Sequence, residues 1–153
     1  MKAPKTFRYE NRLAKTVTPH GGMTVGEATR AAQLQIERVR KPTIAHIDAE
    51  LATIATMRDL MKGGADAGAL AKMYSAANRI VATAGLFGLE DLGQAAYCLC
   101  ELVSRFQSTG KFNLTLIDVN TEGLRLMRDP GKHSAADRQA ALKGLKQVAA
   151  SVS

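Results

Sequence analysis

The sequence predicts an all-α fold, and three observations carry that reading. Apolar residues recur in steps of three and four along most of the chain, the rhythm of one helix face. Ala, Leu, Met, Lys, Arg, Gln and Glu, the strong helix formers, dominate the composition. Aromatics are only 5%, Trp is absent, and no long β-branched run occurs, which argues against an all-β sandwich or barrel. With 153 residues, 46% of them hydrophobic, the chain can close one core without a metal or disulfide staple.

The elements follow in order. Residues 1–22 show no period and end in Thr18-Pro19-His20-Gly21-Gly22, so they are expected to form a flexible basic N-terminal arm. Residues 23–153 are expected to form a single helical domain. Thr24 precedes Glu27 by a capping-box spacing and opens a helix to Arg40, with Val25, Ala28, Ala31, Ala32, Leu34, Ile36 and Val39 as its sparse apolar positions. Lys41-Pro42 is expected to stop it, because a residue before proline avoids the α region. A second helix spans 43–62 on the stripe Ile44, Ile47, Leu51, Ile54 and Met61, and Gly63-Gly64 ends it. Asp66 caps a third, with Met73, Ala77, Ile80, Ala84 and Phe87 inward, until Gly88. A fourth, 90–107, carries Leu92, Ala96, Leu99, Val103 and Phe106. A fifth, 114–128, turns Ile117, Leu124 and Met127 inward, and Ser134 caps a sixth to Ala150. These stripes and short loops predict an antiparallel four-helix bundle with additional N- and C-terminal helices.

Charge and motif content narrow the function. The net charge of +7 is concentrated at the front: residues 1–45 hold nine basic and three acidic residues, against twelve and eleven afterwards. Lys2, Lys5, Arg8, Arg12 and Lys15 suit an acidic partner or nucleic acid, but no nucleic-acid signature accompanies them, so a solvated tail is the favoured reading. The start has no apolar signal core, and no run of eighteen apolar residues occurs, so a cytoplasmic protein without a membrane span is expected. Cys98 and Cys100 lie two apart, so on a helix they diverge and neither bridge nor share a metal. Neither Gly110-Lys111 nor Gly131-Lys132 has the preceding glycine and following hydroxyl residue of a phosphate loop. His20, His46 and His133 lie far apart without ligand-spaced partners, so no metal, cofactor or enzymatic activity is expected.

Residues 77–89 read Ala-Asn-Arg-Ile-Val-Ala-Thr-Ala-Gly-Leu-Phe-Gly-Leu. The segment resembles the histidine-containing phosphotransfer (HPt) domain, whose motif runs Ala-His-x-Leu-Lys-Gly-Ser-Ala-x-x-x-Gly on the second helix of a four-helix bundle. Ala77, Ile80, Thr83, Ala84 and Gly88 match or conservatively replace it, and Leu89-Glu90-Asp91-Leu92-Gly93 resembles the entry to the next helix. The resemblance spans about 43–128 and implies an HPt-like core there. It places the phospho-accepting histidine on Asn78 and the neighbouring lysine on Val81. An amide nitrogen is no nucleophile, since its lone pair is delocalised, and valine cannot neutralise a phosphoryl charge. Asn78 and Val81 therefore form a degenerate phospho-site.

Asn78 stands about 200° from the inward Ile80 and so faces outward. Ser75, Ala82 and Gly85 are small and share that face, and Lys72 and Arg79 flank it. The resemblance implies that these six residues could receive a response-regulator receiver domain or a histidine kinase. The protein is thus expected to be a modulator or scaffold in a two-component phosphorelay, in the manner of a chemotaxis accessory protein. Three alternatives remain: phosphotransfer through another histidine, a basic nucleic-acid-binding protein, and a dimer built on an exposed apolar helix. His46 is read as an ordinary surface histidine, since Ala49 rather than lysine lies three residues on.

Overall fold

A computed structural model describes residues 22–151, and every regular element among them is helical. Helix α1 spans Val25–Leu60 and passes into a 3₁₀ turn, Met61–Gly63. Helix α2 spans Ala67–Ala84 and ends in a second 3₁₀ turn, Gly85–Phe87. Helices α3 (Glu90–Thr109), α4 (Leu114–Arg128) and α5 (Ala135–Ser151) follow. The proposed arm falls on 1–22, of which all but Gly22 lie outside the described residues, as does His20.

One expectation is corrected: Pro42 does not end the first helix but lies inside α1. Proline removes one backbone donor and crowds the carbonyl four residues back, which disfavours a helix interior without forbidding it. Here Lys41 and Pro42 are exposed, so water can serve the freed carbonyl. The Thr43 hydroxyl also donates to the Val39 carbonyl at 2.8 Å, supporting the ladder beside the ring.

The helix starts follow their caps. Thr24 and Glu27 make the reciprocal capping box, with the Glu27 amide donating to Thr24 Oγ1 at 3.2 Å and the Thr24 amide to Glu27 Oε2 at 2.8 Å. Asp66 accepts from the Ala69 amide at 2.6 Å, Asn113 from Thr115 at 2.9 Å, and Ser134 from Asp137 at 3.1 Å. Gly110 closes α3 with φ at 69°, a left-handed conformation that side chains resist, and its amide reaches the Phe106 carbonyl. Phe106 and Phe112 then meet edge to face at 5.6 Å across that turn.

The chain divides into two units between Arg38 and Val39. In the first, the described residues are the capped start of α1, where Val25, Leu34 and Ile36 are exposed. In the second, Ile47, Ile54, Met61, Met73, Ile80, Leu92, Leu99, Leu102, Ile117 and Leu124 are fully buried in one core. The inward stripes of the second to fifth expected helices match it, except that Ile44, Leu51 and Phe87 are only partly buried. Each fully buried Ile or Leu contributes about 1.5–3 kcal/mol relative to exposure.

Charged pairs register the helices. Arg128 grips Asp48 through Nε at 2.6 Å and Nη2 at 3.0 Å, and Arg58 Nε meets Asp118 at 2.6 Å. One pair joins the end of α4 to the earlier α1 position, the other its start to the later one, so α1 and α4 run antiparallel. Such partly exposed pairs contribute only about 0–1 kcal/mol each and fix orientation more than stability. Helix α5 packs on α3 and α4. Arg138 draws its start to Asp91 at 2.8 Å and also holds the carbonyls of Pro130 and His133. A Cβ on Gly123 would fall 2.7 Å from Leu145 Cδ1, so this mid-helix glycine is where α4 admits α5.

Ile80→Ala should lower unfolding free energy by about 2–5 kcal/mol, because its side chain is fully buried. Chemical denaturation followed by circular dichroism checks this, and a loss well under about 1 kcal/mol would contradict the burial.

Candidate functional site

Helix α2 turns Met73, Ala76, Ala77, Ile80 and Ala84 into the core. That rotation leaves Lys72, Ser75, Asn78, Arg79 and Ala82 exposed, and Gly85 is exposed at the first residue of the 3₁₀ turn. All six residues expected to form the partner surface are therefore displayed along one helix and its end. The Ser75 hydroxyl is turned back onto the Ala71 carbonyl at 3.0 Å, so it adds little to the outward chemistry. Among the described residues, neither the Asn78 amide nor the Lys72 ammonium has a side-chain partner. A Cβ placed on Gly85 would meet no heavy atom within 4 Å beyond its chain neighbours and its own helix backbone.

Val81 is half-buried at the border of this face, beside Gly85. It lines a groove of about 500 Å³ with Gly85, Glu90, Gly93, Gln94, Tyr97 and Lys146. A larger hollow of about 610 Å³ at the end of α4 contains His133 with Arg125, Arg128 and Lys132. Its cations are already matched: Arg125 by Glu122, Arg128 by Asp48 and Asp129, and Lys132 by Asp129.

Arg79 is not a free cation. Its Nε and Nη2 grip the two oxygens of Glu50 on α1 at 2.6 and 2.7 Å. Glu50 is only 6% exposed, whereas the Arg79 side chain is 49% exposed. The hydrogen bonds from Arg79 hold the Glu50 carboxyl below its ordinary range, with burial opposing and the charges of Arg79 and His46 assisting. His46 is exposed, as expected, yet its Nε2 lies 3.4 Å from Glu50 Oε1. It belongs to a three-residue array rather than standing as an isolated surface group. Glu50 was missed by sequence reasoning, although a signal existed. It lies three residues after Ile47 and four before Ile54, on the apolar stripe itself, where a carboxylate requires a cationic partner.

Both cysteines are free and buried. Cys100 directs its thiol to the Tyr74 carbonyl at 3.8 Å, and burial pushes it up to about 11. Burial also raises Cys98, aided by the charge of Glu101. Neither is placed to act as a thiolate nucleophile near neutral pH. Among the described residues no three His, Cys, Asp or Glu side chains gather as a metal site, and no helix is long and apolar enough to cross a membrane. Compared with known proteins, the chain matches no family model, no curated protein and no solved structure.

Two outcomes follow from this geometry. Because the folded Glu50 carboxyl is held low, its stabilisation is complete above the unfolded carboxylate pKa of about 4.3 and is lost as pH falls through the lower folded value. Glu50→Gln should therefore flatten the acid limb of stability below about pH 4, measured by thermal melts across pH. Iodoacetamide at neutral pH should leave Cys98 and Cys100 unmodified in the native protein and label both in denaturant, read by mass spectrometry.

Proposed function

We propose that this chain is an antiparallel four-helix bundle of HPt type, built from the second half of α1 with α2, α3 and α4. In this reading it has lost phosphotransfer and keeps the docking surface. It would bind a response-regulator receiver domain, or a histidine kinase, and act as a modulator or scaffold in a two-component pathway such as chemotaxis. The observation that supports this most is the exposed run of Ser75, Asn78, Ala82 and Gly85 along α2. Short side chains permit close approach of a partner's backbone, and the position matching the phospho-acceptor lies in the middle of the run. Valine at 81 is half-buried and supplies no charge to a phosphoryl group. Lys72 would add long-range attraction to an acidic partner, weakened by salt.

Incubation with a labelled histidine kinase and with phosphorylated receiver domains should leave no stable label on the protein. Label retained on any histidine, His46 and His133 included, would favour the phosphotransfer alternative instead. Asn78→His alone should not give efficient transfer, whereas Asn78→His with Val81→Lys is the variant in which activity would return. Ala82→Trp should abolish receiver binding in calorimetric titration while leaving helix content and melting temperature nearly unchanged, since residue 82 is exposed. Equal affinity of the wild type and Ala82→Trp would remove this face as the docking surface.

A further inference from the structure

The Glu50–Arg79 pair crosses from α1 to α2 at the edge of the exposed small-residue run. Its geometry is asymmetric. The carboxylate is buried, and the guanidinium is half exposed. The grip uses Nε and Nη2, so Nη1 has no hydrogen-bond partner among the described residues. A guanidinium is a rigid planar fork, so fixing two nitrogens fixes the direction of the third. His46 stands on the same carboxylate with its side chain half exposed, and Asn78 immediately precedes Arg79 on α2. The outward portion of the array therefore carries donors, and its single carboxylate is beneath them.

We infer that Arg79 is a pre-set receptor for an acidic group of the docking partner, and that Glu50 is the positioning residue that sets it. This rests on the docking reading above and adds the residue that recognises the partner and the one that orients it. The partner chemistry is a protein surface that presents carboxylates, as the acidic pocket of a receiver domain does. An unrestrained arginine would lose rotamer freedom on meeting such a group. Arg79 has already lost that freedom in the free protein. Glu50 offsets the net charge of Arg79, and what the bidentate grip leaves outward is the Nη1 donor, which can hydrogen-bond a second carboxylate. The array would raise specificity and lifetime of the complex more than its encounter rate.

The variants separate this role from that of a plain inter-helix tie. Receiver domains from the source organism, expressed singly, are titrated against the wild type, and one that binds is carried forward. Binding kinetics are then measured for Glu50→Gln, Arg79→Lys and the double variant, with circular dichroism confirming that each is helical. Glu50→Gln should speed dissociation about tenfold without slowing association, since a charged hydrogen bond is lost while net positive charge rises. Arg79→Lys keeps the charge but loses the fork, and should speed dissociation similarly. In the Arg79→Lys background, Glu50→Gln should have no further effect. Wild-type dissociation in Glu50→Gln overturns the proposal. So does an equal tenfold effect of Glu50→Gln in both backgrounds, which marks a structural tie. If no receiver binds the wild type, the docking reading itself fails and this inference falls with it.

Discussion

Helix α3 buries nine of its twenty residues, and α2, α4 and α5 all pack against it. A helix enclosed on several sides cannot obey a single apolar stripe. Small residues set the spacing there: Ala95, Ala96 and Cys98 are buried in the core, and Gly93 lies against Ala84, where an added Cβ would reach ordinary contact at 3.6 Å. Close-packed interiors tolerate little volume change, so these alanines and cysteines set how near the surrounding helices come. The rotation of α2 depends on that approach, and with it the set of α2 residues left facing outward.

The electrostatic organisation has the same economy. The long-range ion pairs among the described residues join different helices, and each arginine involved bonds to a carboxylate on a neighbouring helix or turn. Most lie near the surface and contribute direction. Glu50 differs because its carboxylate is buried, and it is tolerated as a charge because Arg79 pairs both of its oxygens. Asn120 is fully buried as well: its amide donates to the Leu116 carbonyl at 2.9 Å, and its Oδ1 has no hydrogen-bond partner among the described residues.

Much of the helical layout was legible in the sequence, because periodicity and capping are local. Thr24, Asp66 and Ser134 each start a helix as their side chains require, and Ile117, Leu124 and Met127 face inward as their spacing demands. The break expected at Pro42 failed because proline states a preference of the backbone, while solvent exposure and Thr43 decide whether the helix can continue. The outward set on α2 was legible from one inward residue and the helical angle. The Arg79–Glu50 contact was not, since it joins residues 29 apart through a fold that local spacing does not specify. Phe87 was assigned to the core by extending a helix that in fact tightens at Gly85, which rotates it toward partial exposure.

Gly123 faces Leu145 with no room for even a methyl group unless the leucine moves. Leu145 is itself buried, so its freedom to move is small. The two positions thus share one fixed volume. In a lineage of related sequences, growth at 123 would have to be accompanied by shrinkage at 145, and a set of such chains would show the pair covarying although the residues lie on separate helices. The attachment of α5 is in that sense heritable as a pair of residues, and either one read alone would look unremarkable: a glycine in a helix, and a leucine in an apolar stripe.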